Sequence, residues 1–285
     1  MGIEKNPADF LPSDVEAVVA SEWNYAARYN RQSEPRAILL AGQPGAGKTV
    51  LSSMLNKLLC GNVYFINADE YRRFHPNYKE LYARYGSDSV QMTMFSGAVT
   101  ERLIHETSER GIHLIIEGTG RTTDVPHRTA ELLVKKGYRV ELAVIATRPE
   151  HSLCSTLLRF YEMNERGTIP RATAMEAHDY VVRVLPDNLD ILRDDPVISG
   201  ITIWDRTPTK IYDSCGTAEC PSEVLRQYWN RPWSGEELQD MQRSILRLRH
   251  KEEACQLKQS PSIDELERRV QEAAMGPGLT FNTMM

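Results

Sequence analysis

Gly42-Gln43-Pro44-Gly45-Ala46-Gly47-Lys48-Thr49 has the spacing G-x-x-x-x-G-K-[ST]. That spacing holds phosphate. Its glycines let successive backbone N–H groups turn toward phosphate oxygens, the lysine reaches the β- and γ-phosphates, and the Ser/Thr hydroxyl ligates Mg²⁺. The helix opened by such a loop aims its partial positive charge at the same oxygens. The mechanics need a buried strand before the loop and a helix after it. The apolar run Ala37-Ile38-Leu39-Leu40-Ala41 supplies the strand, and residues 47–59 carry the helical pattern. The sequence therefore predicts a nucleotide site with ATP or GTP held by Gly42, Gln43, Pro44, Gly45, Ala46, Gly47, Lys48 and Thr49, and with Mg²⁺ on Thr49.

A phosphate loop does not name the acceptor. The base-reading Asn-Lys-x-Asp of GTPases is missing, because Asn56-Lys57 is followed by Leu58-Leu59. Small-molecule kinases lead as a class, since they need a phosphate loop, a carboxylate facing the acceptor and basic residues on a lid. Asp69 stands just beyond the apolar run ending at Ile66-Asn67. In a parallel sheet the carboxyl ends of the strands form the ligand crevice, so Asp69 would lie near the phosphates and orient an attacking hydroxyl. Its other reading is an N-cap for the turn containing Tyr71. Glu117 ends a third apolar run and leads into Gly118-Thr119-Gly120-Arg121-Thr122-Thr123. A carboxylate with hydroxyls suits a polyhydroxylated acceptor such as a sugar. A Walker-B-like acid holding magnesium-bound water is the competing reading of Glu117. Arg148, Arg159, Arg166 and Arg171 could each serve as a lid arginine, and spacing alone does not choose among them or exclude a solvated helix face.

Strands alternating with helices must carry these residues. A helix is expected over 13–29, with Ser13 and Glu16 as a capping box. Strands follow at 37–41, 63–66, 114–116 and 140–146, with helical segments over 78–110, from Pro126 to Gly137, over 149–165 and over 173–193, and weaker strands at 201–204 and 210–212. Short runs that are apolar on both faces argue for a parallel sheet covered on each side. The fold class expected is α/β, a P-loop kinase-like sheet flanked by helices. The kinase domain takes residues 1–220, with a lid at about 148–172. Residues 221–285 form a helical C-terminal appendage, with helices near 221–229, 234–258 and 262–274 and a frayed tail from 276. His178-Asp179 falls mid-helix; adjacent residues do not share a helix face, so a structural hydrogen-bonding role is expected. Trp204, Trp229 and Trp233 read as core or docking residues.

Composition limits the partners. The 285 residues are 41% hydrophobic and 26% charged, which excludes disorder, and the formal net charge of -5 disfavours a dedicated nucleic-acid binder or nucleic-acid kinase. No run approaches the ~18 apolar residues of a membrane helix, and the start lacks a signal pattern. Five scattered cysteines (Cys60, Cys154, Cys215, Cys220, Cys255) read as reduced thiols of a cytoplasmic protein.

From about residue 8 to about 230 the chain resembles the zeta toxins of bacterial toxin–antitoxin systems. The matching stretches are the phosphate loop, Ile66-Asn67-Ala68-Asp69 with Arg72 and His75-Pro76, then 115–126 (Ile-Ile-Glu-Gly-Thr-Gly-Arg-Thr-Thr-Asp-Val-Pro), and Arg171-Ala172-Thr173 with His178-Asp179. Zeta toxins are kinases that use ATP or GTP and Mg²⁺ to phosphorylate the 3′-hydroxyl of the amino sugar of UDP-N-acetylglucosamine, which blocks peptidoglycan synthesis. The resemblance implies Asp69 as the base and Lys48 and Thr49 as phosphate and magnesium contacts. It implies Glu117 and Thr119 as acceptor contacts, with Glu101 and Arg121 as further ones, and Arg159 and Arg171 as the lid arginines. It also implies a small helical antitoxin as partner. The chain departs from the family in Arg159-Phe160-Tyr161-Glu162, which has one aromatic more than the usual Arg-Tyr-Glu, and in Asn67, where an acid is common. The alternatives are another acceptor (a different nucleotide sugar, a nicotinamide nucleotide or an antibiotic) or a nucleotide-dependent regulatory protein.

Overall fold

Ile38 and Leu40 of the first strand pack on one set of helices while Ala37, Leu39 and Ala41 pack on another. That two-sided burial is why this run is continuously apolar instead of alternating. The computed structural model describes residues 9–86, 89–256 and 258–275. The strands are β1 (Arg36–Ala41), β2 (Val63–Asn67), β3 (His113–Glu117), β4 (Arg139–Ile145), β5 (Ile201–Trp204) and β6 (Lys210–Asp213), in the spatial order β2-β3-β1-β4-β5-β6. Neighbours from β2 to β5 are parallel, and β6 closes the edge antiparallel to β5. The phosphate loop thus leaves a central strand with β3 on one side and β4 on the other.

The helices are α1 (Pro12–Ala26), α2 (Lys48–Leu58), α3 (Ala68–Tyr71), α4 (Tyr78–Tyr85), α5 (Val90–Glu109), α6 (Asp124–Lys135), α7 (Pro149–Glu165), α8 (Met175–Arg193), α9 (Pro221–Asn230), α10 (Gly235–Ala254) and α11 (Ser260–Met275). Leu51 and Leu55 of α2 cover one face of the sheet. Buried side chains of α1, α5, α6, α8 and α9 cover the other. A second core joins Leu153, Leu157, Phe160 and Tyr161 of α7 to Met241, Ile245 and Leu248 of α10 and Ile263, Leu266 and Val270 of α11. Each such side chain contributes about 1.5–3 kcal/mol when fully buried, so α7 is seated on the C-terminal helices.

Local signals were read one step off in places. Helix α1 opens at Pro12, and it is Asp14 that accepts from the Leu11 N–H at 2.7 Å, not a Ser13–Glu16 box. Helix α6 starts at Asp124 and carries Pro126 in its first turn, where no intrahelical donor is lost. The helical stretch 78–110 is two helices, the first ending at Gly86 with φ 74°. The N-terminal residues read for targeting and the tail from 276 lie outside the described residues.

Candidate active site

The phosphate loop is fixed by its own glycines and by α7. Gly45 has φ 77°, and a Cβ there would sit 2.1 Å from the Ser152 carbonyl oxygen. The loop therefore lies directly on the first turns of α7, and only glycine fits. Gly47, left-handed at φ 98°, is the N-cap of α2. Lys48 is buried and folds back over the loop, its Nζ donating to the Gly42 carbonyl at 2.9 Å and the Gln43 carbonyl at 3.4 Å. Gln43 is fully buried and donates to the Thr147 carbonyl at 2.6 Å. The Thr147 hydroxyl donates to the Ala46 carbonyl at 2.6 Å.

Adjacent strand ends bring the two predicted carboxylates to this loop. Asn67 and Glu117 are register partners in β2 and β3, and Glu117 also pairs with Leu40 of β1. The Gly118 N–H donates to the Leu40 carbonyl, and the Gly42 N–H to the Thr119 carbonyl, which ties the 118–123 loop to the phosphate loop. Glu117 Oε1 lies 3.8 Å from Lys48 Nζ, while its Oε2 accepts from the Asn67 amide at 3.1 Å. Burial pushes the Glu117 carboxyl up, helped by the Asp69 charge and opposed by Lys48. Burial likewise pushes the Lys48 ammonium down, against Glu117 and Asp69. In both partners burial outweighs the opposite charges nearby, so each charged form is held out of water.

Asp69 is in a different situation. Its side chain is 41% exposed, with Oδ2 2.6 Å from Arg171 and Oδ1 3.1 Å from Arg72. Burial alone would raise its carboxyl, but the two guanidiniums and Lys48 hold it below the usual carboxylate range. The charged carboxylate is thus favoured at this position. The competing N-cap reading of Asp69 falls to Asn67, whose side chain accepts from the Asp69 N–H at 3.0 Å and caps α3. Asn67 is thus the residue that sequence reasoning missed: it caps one element and braces Glu117 with the same amide. An Asn before two acids at a strand end is an N-cap signal.

The four arginines separate. Arg148 is buried and donates to the carbonyls of Trp229, Arg231 and Pro232, with its guanidinium 4.7 Å over Trp233. It clips α7 to the α9–α10 connection, away from any phosphate role. Arg166 ends α7 in an exposed position. Arg159 is exposed on α7, and its charge acts on both Lys48 and Glu117. Phe160 and Tyr161, one aromatic more than the family pattern, turn into the α7–α10–α11 core. Arg171 comes from the α7–α8 loop, whose Pro170 carbonyl accepts from the Tyr82 hydroxyl of α4. Asp69, Glu117, Lys48, Arg159 and Arg171 therefore share one electrostatic cluster.

Thr49 is exposed in the first turn of α2. Magnesium in such sites is held by one or two protein oxygens plus substrate phosphates and water. The Thr49 hydroxyl, in the first turn of the helix that the phosphate loop opens, is a hard oxygen donor of the kind Mg²⁺ takes beside substrate phosphates. Thr119 lines the loop at half-burial, with its Oγ1 accepting from the Arg121 N–H at 3.4 Å, and Arg121 is exposed. Glu101 is exposed on α5, and no contact joins it to the cluster. Chemically, the crevice can bind a polyphosphate on the loop and aim a hydroxyl, through Asp69, at its terminal phosphorus.

The chain matches known proteins over most of its length. Residues 20–217 match the family model described as zeta toxin. The chain is 39% identical over 237 residues to Toxin PezT of Streptococcus pneumoniae serotype 4, covering 82% of this chain and 94% of that protein. It is 41% identical over 208 residues to Toxin zeta of Streptococcus pyogenes, covering 72% of each. Among solved structures it is similar to a chain from the PezAT chromosomal toxin–antitoxin system of S. pneumoniae, with TM-score 0.77 and 36% identity over 86% of this chain and 100% of that one. A crystal structure of AvrRxo1-ORF1:-ORF2 with ATP shares the fold at TM-score 0.55 and 12% identity, covering 94% of this chain and 91% of that one.

Proposed function

The chain belongs to the zeta toxin family, and from that premise we propose that it transfers the γ-phosphate of ATP or GTP to the 3′-hydroxyl of the amino sugar of UDP-N-acetylglucosamine, a toxin activity that blocks peptidoglycan synthesis. The observation that carries the reading is the placement of Asp69 between Arg171 and the Lys48–Glu117 pair at the strand ends. In phosphoryl transfer the transition state is loose, so catalysis is mostly positioning and charge stabilisation. Asp69, ionised and half-exposed, orients the sugar hydroxyl and accepts its proton as the oxygen–phosphorus bond forms and the bond to the nucleoside diphosphate breaks. Lys48 holds the bridging phosphate oxygens, Arg159 and Arg171 meet the charge on the transferring group, and Glu117, with Thr119, holds the acceptor. Thr49, with phosphate oxygens, would hold Mg²⁺, which would supply further charge neutralisation.

The toxin role implies a protecting antitoxin. A small helical protein covering the nucleotide crevice is the proposed partner, supported by the likeness to a chain of the PezAT system. Phosphorus NMR of the protein with ATP, Mg²⁺ and UDP-N-acetylglucosamine tests the reaction. A new phosphomonoester on the sugar 3′-oxygen is expected. Absence of that product alongside ADP release with a different acceptor would replace the substrate.

A further inference from the structure

A line of polar side chains leaves the phosphate loop and runs, without a break, to the last helix. Gln43 Nε2 donates to Ser152 Oγ at 3.2 Å, Ser152 Oγ meets His178 Nε2 at 2.8 Å, and His178 Nδ1 meets Asp179 Oδ1 at 2.9 Å. Arg269 of α11 then grips both Asp179 oxygens, at 2.9 and 2.6 Å, and is itself held by Glu265 at 2.8 Å. Gln43, Ser152 and His178 are buried without measurable exposure.

The order Ser–His–Asp invites comparison with a nucleophile relay. Burial rules that out, since no substrate reaches Ser152 Oγ, which is also engaged by Gln43 and by the Pro149 carbonyl at 2.9 Å. What the arrangement does is transmit position. Asp179 meets Nδ1 and holds the ring with Nε2 toward Ser152. Ser152 in turn bears on the loop twice, through the Gln43 amide and through its own carbonyl against Gly45. The buried inner members, Gln43, Ser152 and His178, hold one geometry, because displacing any of them leaves a buried polar group unsatisfied, while Asp179 and Arg269 anchor the line at its partly exposed end.

We propose that the line from Gln43 through Ser152, His178 and Asp179 to Arg269 sets the shape of the phosphate loop from the C-terminal helix. His178, Asp179 and Arg269 are thus positioning residues for the nucleotide. Arg269 lies beyond residue 217, where the match to the family model ends. The inference rests on the nucleotide reading of the loop.

Calorimetric titration of the full chain with ATP and Mg²⁺, paired with steady-state kinetics on UDP-N-acetylglucosamine, tests it. Arg269→Ala and His178→Ala should each weaken ATP binding about tenfold, the scale of one buried hydrogen bond lost, with kcat and the acceptor KM unchanged. The double variant should be no weaker than the worse single variant, because both break one line, and Arg269→Lys should recover part of the affinity. If His178→Ala does not fold, Asp179→Asn takes its place. Wild-type ATP affinity in Arg269→Ala, or effects that multiply in the double variant, would overturn the proposal while leaving nucleotide binding intact. A wild-type chain that bound no ATP would overturn the nucleotide reading first.

Discussion

At the ends of β1, β2 and β3, burial pushes the Lys48 ammonium down and the Glu117 carboxyl up. Along α10 and α11 the opposite holds. Hydrogen-bonded pairing raises Arg249 and Arg268 and lowers Glu265 to about 2. Both regions are rich in charge. In the helices every guanidinium of this set has a carboxylate within reach, as in Arg249 with Asp264 and Glu267, or Arg268 with Glu265 and Glu272. In the crevice, Lys48 and Glu117 are 3.8 Å apart and mostly out of water. Charges that are satisfied make scaffold. Charges desolvated at a crevice are placed to meet a ligand, and perturbed values of this kind cluster at functional sites.

Substitutions can break that contrast, beginning with the largest effect. Asp69→Asn should lower kcat about 10³-fold, within the range of general-base removal, while ATP still binds; a phosphotransfer assay with parallel titration checks both. A variant with near-normal turnover would place the acceptor hydroxyl elsewhere. On the helical side, Leu248→Ala opens the α7–α10 core, where Leu248 has no exposure, and should cost about 2–5 kcal/mol in urea unfolding. Its kcat per folded molecule should stay unchanged, because no charge in the crevice moves.

The two carboxylates should differ in the sign of their pH dependence. The folded value of Asp69 lies below its ordinary 3.8, so its ionised form stabilises the fold above that pH, and the benefit disappears as pH falls through the folded value. Glu117 lies above its ordinary 4.5, so ionising it costs stability as pH rises from 4.5 through the folded value. Melting curves across this range should show Asp69→Asn falling behind the wild type as pH rises, and Glu117→Gln gaining on it. Parallel curves for the two variants would remove the electrostatic contrast inside the crevice. The smallest effect is expected from Arg247→Ala on α10, which loses an exposed pair with Glu162 at 2.7 Å. It should change unfolding free energy by less than about 1 kcal/mol.

The sheet was legible because its strands are apolar on both faces, and the loop because its glycines and lysine keep a fixed spacing. All six strand positions and the long helices α7 and α8 follow within a few residues of expectation. The antiparallel sense of β6 was not legible, since direction is set by pairing across the sheet. Asn67 was read as a missing acid, yet it caps α3 and braces Glu117. The structural hydrogen-bonding role expected of His178-Asp179 is met, but their bond to each other was not foreseen from the rule that adjacent residues do not share a helix face. That rule concerns side chains laid along a helix surface, whereas a short carboxylate can turn toward the ring beside it. Arg148 stood level with Arg159 and Arg171 in the sequence, and burial alone set it apart.

Local chemistry, then, was written in the chain: a loop that cradles phosphate, carboxylates at two strand ends, and the family to which their spacing belongs. Such patterns depend on neighbours within a few residues, so order along the chain is enough to state them. Which arginine meets Asp69, which amide braces Glu117 and how α11 reaches the phosphate loop depend on groups some 50 to 226 positions apart. Packing decides those meetings, because a buried charge or amide must find its partner wherever the folded chain brings one.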